Sequence, residues 1–286
     1  MPDIAVHKET KLPLDQRIIC STISFRRLPL EAALRQIADL GFGGIDLGAL
    51  PGVCDHVPYE LTAEAVHEVA STLRGSGLSV RSINADVGAL NAPLDAEGRR
   101  ARDQHLAQLL DLAVQVGAPA IVLPCGSQGH TPLHDLPTDI QLVADELRHA
   151  AELAAERGVA IWVESQHSGR LCFDLDRAGR LIDALRGSRV RSVLDFSHVV
   201  ASGDDPLTWI DRHGPEIAHV HIRDARPGDI HLTPGNGEVD FAAGISALAD
   251  AGYEGDFSLE LETADVTDAE RPAAAARAGR LITALL

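Results

Sequence analysis

Residues 191–198 read RSVLDFSH, and the reading of this stretch decides the architecture. Val193 and Leu194 begin it as a buried parallel strand begins; Asp195, Ser197 and His198 then turn it polar where a strand interior should stay apolar. A strand whose polarity is confined to its C-terminal end is one whose end carries chemistry. Three other runs end in the same way: VAIWVESQH with Glu164, IAHVHIRD with His221, and DFSLELE with Glu260. These four ends are expected to meet around one divalent metal ion.

Outward from residue 191 the same unit recurs, a short apolar run, a polar loop, an amphipathic stretch and a glycine. Strands are expected at Ile18–Ser24, Gly44–Leu47, Ser79–Asn84, Ala120–Pro124, Ala160–Glu164, Arg191–Asp195, Ala218–Arg223 and Phe257–Glu262. Between them lie apolar residues at helical spacing, such as Leu30, Leu34, Ile37 and Ala38; Leu61, Ala65, Val66, Val69 and Leu73; Leu106, Leu109, Leu110 and Ala113; and Val143, Leu147, Ala150, Ala151 and Ala154. Gly41, Gly77, Gly117, Gly158, Gly187 and Gly252 fall near the expected helix ends, where a left-handed residue is wanted. Strands alternating with helices imply parallel pairing through right-handed crossovers. Eight units in 286 residues, near the ~250 typical of such barrels, favour an α/β fold closed as a single (β/α)8 TIM barrel over residues 17–286. Residues 1–16 form an N-terminal arm, and the amphipathic stretch from Ala273 to Leu286 is the eighth helix. A doubly wound open sheet is the competing architecture, but the first strand is not followed by G-x-G-x-x-G and no composition break marks a second domain.

The totals bound the function. The chain is 45% hydrophobic and only 3% aromatic, so an aliphatic core of strands flanked by helices suits it. Its formal charge of −17, from 42 acidic and 25 basic residues, repels phosphate backbones and anionic membranes, and no basic patch offsets it. Neither a nucleic-acid nor a membrane partner is expected. Cys20, Cys54, Cys125 and Cys172 lack C-x-x-C spacing, which points to reduced thiols in a cytoplasm rather than to structural zinc or disulfides. The first residues lack the apolar core of a signal peptide, and no run approaches the roughly 18 apolar residues of a membrane span.

Catalytic groups of such a barrel sit at the C-terminal strand ends and in the loops that follow. Three carboxylates crowded at one mouth raise each other's pKa unless a cation compensates them. Three carboxylates and one imidazole are a hard to borderline donor set, which suits Mn²⁺ first, then Mg²⁺, Co²⁺ or Zn²⁺. A competing reading makes the four residues polar strand ends that merely meet solvent. Glu262 competes with Glu260, because residues two apart on a strand share a face. His219 shares a face with His221 one layer deeper, where a hydrogen-bonded core role suits it. Arg223 shares that face nearer the mouth and could grip a carboxylate or phosphate. Asn84, His56, His130 and His167 follow strands two to five as loop residues, of which Asn84 is the best placed at a strand end. Gly235-Asn236-Gly237 reads as a turn into a helix capped by Asp240.

Taken together, PLEAALRQIADLGFGGIDL, D-x-x-H at Asp195 and His198, H-I-R-D from His221 to Asp224, GNGEVDF, and S-L-E at Glu260 resemble the sugar-phosphate isomerase/epimerase superfamily with the xylose-isomerase-like barrel. That superfamily includes ketose 3-epimerases, hydroxypyruvate isomerase, inosose dehydratase and endonuclease IV. The resemblance runs over nearly the whole chain. It implies that Glu164, Asp195, His221 and Glu260 bind the metal and that Glu164 and Glu260 also move protons. It implies too that His198 is a substrate-side histidine; from their places at strand ends and in the loops that follow, Arg223, Asn84, His130 and His167 are the expected further pocket residues. Ketose 3-epimerases place a further glutamate six residues after the first ligand, where this chain has Arg170.

The expected function is a divalent-metal-dependent isomerase or epimerase of a small sugar or polyhydroxy keto compound, working through a metal-stabilised enediolate. A lyase on the same metal, dehydrating a keto-polyol as inosose dehydratase does, is the first alternative. An endonuclease IV-like DNA-repair nuclease and a sugar-binding subunit without turnover follow it, and the charge weighs against the nuclease. Relatives are often dimers or tetramers, so a homo-oligomer is an analogy.

Overall fold

The computed structural model describes residues 13–286. Of the expected arm, residues 1–12 lie outside the described residues. Leu14 packs against the core, and the Asp15 amide donates to Thr283 Oγ1 at 3.2 Å.

Eight parallel strands close into a barrel: β1 (Ile18–Ser21), β2 (Gly44–Ala49), β3 (Ser79–Ala85), β4 (Ala120–Pro124), β5 (Ala160–Glu164), β6 (Arg191–Asp195), β7 (Ile217–Ile222) and, last in the chain, β10 (Phe257–Leu259). Neighbours in the barrel are neighbours in sequence, and β10 closes the ring against β1, with Ile18 opposite Phe257 and Cys20 opposite Leu259. Helices α1 (Leu30–Asp39), α2 (Ala63–Ser76), α3 (Ala96–Val116), α4 (Leu136–Ala155), α5 (Leu175–Ala184), α8 (Phe241–Asp250) and α9 (Arg271–Thr283) connect or follow the strands. Between β6 and β7 the chain makes two short helices, α6 (Phe196–Ala201) and α7 (Pro206–His213), and after β7 it makes a small antiparallel hairpin, β8 (Asp224–Arg226) and β9 (Asp229–Leu232).

The expected helix faces are largely the buried ones: Leu106, Leu109, Leu110 and Ala113 on α3, and Val143, Leu147, Ala150, Ala151 and Ala154 on α4. On α1 the buried residues are Ala33, Leu34 and Ile37, and Ala38 faces out. Asp or Thr side chains accept backbone N–H bonds at the starts of seven helices, including Asp135 on α4 and, as expected, Asp240 on α8. Gly77 and Gly117 end α2 and α3 with φ of 74° and 72°, a left-handed backbone that a Cβ disfavours.

Five strands differ from the sequence reading: β2 and β3 run on to Ala49 and Ala85, β7 spans Ile217–Ile222 rather than Ala218–Arg223, and the first and last strands stop early. The first strand was expected to run to Ser24 but stops at Ser21, where Thr22–Phe25 coil into a 3-10 turn. Side chains take over the ladder there: Thr22 Oγ1 accepts from Gly48 N, and Ser24 Oγ donates to Leu259 O and accepts from Leu261 N. The last strand was expected to run to Glu262 but pairs only to Leu259. Glu260 N still donates to Ile222 O, then Glu262 N turns back onto Glu260 O.

Candidate metal centre and pocket

Parallel register brings the strand ends level. Asp195 lies opposite His221 across β6 and β7, Glu164 lies opposite Val193 across β5 and β6, and Ser258, two residues before Glu260, lies opposite His221. Side chains two apart point to one face, so the inward residues of β7 are His219 and His221, with Arg223 above them. Ligand-capable atoms of Glu164, Asp195, His221 and Glu260 all lie within 4.8 Å of one another, and all four residues are buried. His221 Nδ1 is 3.4 Å from Glu164 Oε1 and 3.4 Å from Glu260 Oε2. Neither His221 Nδ1 nor Glu164 Oε1 has a hydrogen-bond partner. Buried polar atoms are nearly always partnered. Two orphaned donor atoms converging on one point, in an oxygen-rich set with one imidazole, therefore fit a divalent cation.

The imidazole is aimed from below. Asp46, on β2 and fully buried, takes both His219 Nε2 (2.9 Å) and His221 Nε2 (3.1 Å) on its Oδ2. An Nε2–H given to Asp46 leaves Nδ1 of His221 as the atom that faces the carboxylates, the arrangement by which a carboxylate orients a metal-binding histidine. His219 has the hydrogen-bonded core position expected of it, with its ring stacked on Trp162 at 5.3 Å between centroids. Asp46 did not stand out in the sequence, although a carboxylate inside the otherwise apolar GGIDLGAL was a signal: it needed a buried partner, and His219 was available.

Above the cluster Arg223 is a fully buried hub. Its guanidinium contacts Asp195 Oδ2 (3.1 Å), Glu262 Oε2 (3.1 Å), His198 Nε2 (3.1 Å) and, through Nε, Ser197 Oγ (2.9 Å). Ser197 in turn binds Asp195 Oδ1 through both N and Oγ at 2.7 Å, so Asp195 also caps α6. The turn at residues 260–262 separates the two competing glutamates. Glu260 lies in the cluster and accepts from Asn84 Nδ2 at 3.0 Å; Glu262 pairs with Arg223 and Arg26 outside it.

A pocket of about 290 Å³ opens over the cluster, lined by Asn84, Glu164, His167, Arg170, His198, Arg223 and Glu260 among others. His167 and His198 stack at 3.9 Å between centroids. Burial, with neighbouring cationic groups, holds both imidazoles well below their usual pKa, so they are neutral. Arg170 is spent on the rim, clasping Asp86 Oδ2 (2.7 Å) and Gly126 O (3.0 Å). His130 is a correction to the expected pocket lining. It is exposed, stacked on Phe173, and donates from Nε2 to Ser168 O at 2.7 Å; it props Ser168, whose Oγ meets His198 Nδ1 at 2.9 Å. His56 is likewise turned away, onto Leu28 O.

The two glutamates have opposed proton affinities. Burial pushes the Glu164 carboxyl up, aided by the negative charges of Glu260 and Asp195 and only partly offset by His221. Burial also acts on Glu260, but His221 and Arg223 outweigh it and hold that carboxyl below its usual range.

The family profile described as xylose isomerase-like TIM barrel matches residues 34–284. The chain belongs to that family. Inosose dehydratase of Geobacillus thermodenitrificans (strain NG80-2) is 30% identical over 180 residues, covering 53% of this chain and 60% of the dehydratase, so the match spans little more than half of that relative. Among solved structures, D-psicose 3-epimerase of Clostridium cellulolyticum H10 with D-tagatose aligns with a TM-score of 0.76 at 17% identity, over 94% of this chain and 99% of that one. The IOLI protein with a zinc atom aligns with a TM-score of 0.74 at 18% identity, over 93% and 98%. These two likenesses speak to the fold.

Proposed function

We propose that this barrel is a divalent-metal-dependent isomerase or epimerase that moves a proton at the carbon beside the carbonyl of a small keto-sugar or keto-polyol. The observation that carries the reading is the pair Glu164 and Glu260, each 3.4 Å from His221 Nδ1 and both lining the pocket. Glu164, Asp195, His221 and Glu260 would hold the cation, with Mn²⁺ favoured by the three carboxylates. When bound there, a divalent cation polarises the substrate carbonyl and offsets the charge that develops on proton loss.

The remaining work falls to the side chains. Glu260 is the base that takes the α-proton while the C–H electron pair passes into the enediolate. Glu164 returns a proton to the opposite face or to the adjacent carbon, giving an epimer or an isomer. Asn84 holds Glu260 by its Oε1, Arg223 holds Asp195, and the neutral imidazoles of His198 and His167 offer polar edges to substrate oxygens. The sugar-like substrate class is supported by the relatives, and the charge of −17 argues against a polyanionic partner.

A second reading has specific support. The dehydratase relative, and Arg170 in the position where ketose 3-epimerases carry a further glutamate, favour a lyase in which Glu164 gives its proton to a departing β-hydroxyl. Incubation of the Mn²⁺-loaded protein with keto-sugars and keto-inositols in D₂O separates the two. Deuterium beside the carbonyl with an isomeric product supports the first, an enone absorbance with water loss supports the second, and neither signal from any substrate contradicts both.

A further inference from the structure

We propose that a chamber beside the catalytic pocket is a subsite for a second, glycosidically linked sugar ring of the substrate; this rests on the keto-sugar reading of the pocket. The chamber measures about 920 Å³ and lies between the turn after β1 and the segment joining β10 to α9. Ile23, His231 and Glu262 line both spaces, so the two share a wall. The inner space of about 290 Å³ is at the lower limit of the roughly 300–1,000 Å³ of small-molecule pockets, while the chamber is near the upper limit. A single ring over the carboxylates would leave the larger space to solvent; a second ring passing beside Glu262 would use it.

The lining selects the chemistry. Leu28, Val266 and Ala269 supply apolar surface for the C–H face of a pyranose, and Arg26, Asp268 and Arg271 supply polar edges. The three arginines there share two carboxylates. Arg26 pairs with Glu262, Arg27 with Asp268 at 2.9 Å, and Arg271 reaches Asp268 at 3.6 Å and gives Nη1 to Leu261 O at 2.7 Å. Paired donors and acceptors above an apolar floor suit the alternating hydroxyls of a neutral sugar. At the shared wall His231 donates from Nδ1 to Glu262 O at 3.0 Å, which leaves Nε2 as an acceptor for a hydroxyl. Glu262 joins the two spaces, with one oxygen on Arg26 of the chamber and the other on Arg223 of the pocket.

The test compares D-fructose with its glucosyl derivatives turanose, maltulose and isomaltulose, which keep the carbonyl, on Mn²⁺-loaded protein in D₂O. At least one disaccharide is expected to exchange its α-proton with kcat/KM about tenfold or more above fructose, and Val266→Trp, which fills the chamber, to remove that ratio. Equal values for fructose and all three disaccharides, or a ratio that Val266→Trp leaves intact, would overturn the subsite while sparing the reaction. Should nothing exchange, the reaction assignment fails and the subsite is read by saturation-transfer NMR. Magnetisation transfer to the glucosyl ring that Val266→Trp abolishes upholds it, and no transfer to that ring overturns it.

Discussion

Asp46 and Glu262 flank the four strand-end side chains from below and above, and their different contacts make opposite predictions. Asp46 orients His221 through Nε2. Replacing such an orienting carboxylate typically lowers metal affinity about 10–100-fold, so Asp46→Asn is expected to weaken Mn²⁺ binding by that order in a chelator-competition titration. Unchanged affinity would mean that His221 does not need this support. Glu262 neutralises Arg223 and Arg26 without entering the cluster; Glu262→Gln should keep its metal, whereas Glu260→Gln should lose it. Sequence alternation alone could not separate these glutamates, because the rule that residues two apart share a face holds only while the strand continues. The backbone turn from Glu262 N onto Glu260 O ends it. Glu164, Asp195 and His221 were legible because each closes an apolar run. Asp46 was not, because it interrupts one.

At the scale of elements, the glycine-bearing loop after the hairpin is built around Asp224. Its Oδ2 accepts from Gly235 N (2.8 Å) and Gly237 N (2.9 Å), and its Oδ1 from Ala225 N (2.8 Å) and Val239 N (3.1 Å). A Cβ on residue 237 would meet Asp224 Oδ1 at 2.3 Å, so no larger residue fits there. Each donor left unmade in a buried place costs about 1–3 kcal/mol. Asp224→Ala is therefore expected to lower unfolding free energy by roughly 3 kcal/mol or more, read by urea denaturation, and a change under about 0.5 kcal/mol would show that the loop holds itself. The sequence showed the Gly-Asn-Gly turn and the Asp240 cap but not the hairpin β8–β9, whose three- and four-residue strands carry no alternating pattern long enough to read. Likewise, α6 and α7 are too short for helical periodicity and are started by Asp195 and Asp205. At the start of α4, burial opposes the charge of Asp139, but hydrogen bonds from His134, Asn91 and Leu133 N outweigh it and hold the carboxyl below its usual pKa. A depressed folded pKa gives stability that is complete above the unfolded value, roughly 3.9, and is lost as pH falls through the folded one. Asp139→Asn should thus be less stable than wild type at neutral pH, with the gap in Tm closing under acid; a gap that persists at low pH would assign the loss to packing.

For the whole molecule, closure of the ring depends on the contact between its first and last strands, and Arg17 spans that seam. Its guanidinium donates to Gly255 O (2.9 Å) and Tyr253 O (3.3 Å) and lies 5.1 Å from the Phe257 ring centroid. Arg17→Ala should cost about 1–3 kcal/mol in hydrogen bonds and stacking and show in thermal unfolding; an unaltered Tm would place closure in the backbone ladder alone. The fold was legible at this scale because eight apolar runs recur with helices between them and because Gly41, Gly77, Gly117, Gly158, Gly187 and Gly252 all adopt the positive φ expected at helix ends. All four cysteines are buried and free, and no helix among the described residues is long and apolar enough to cross a membrane.

Four residues that are 31, 26 and 39 positions apart in sequence make one centre only if the barrel closes in this register. Metal content therefore tests fold and site together. The decisive measurement is elemental analysis of protein reconstituted with Mn²⁺ and desalted, for wild type, Glu164→Gln, Asp195→Asn, His221→Ala and Glu260→Gln, with Glu262→Gln as the control and circular dichroism to verify folding. About one metal per chain in wild type and the control, and loss in the other four folded variants, is the predicted result. Metal retained at the wild-type level in Glu164→Gln and Asp195→Asn would contradict the centre.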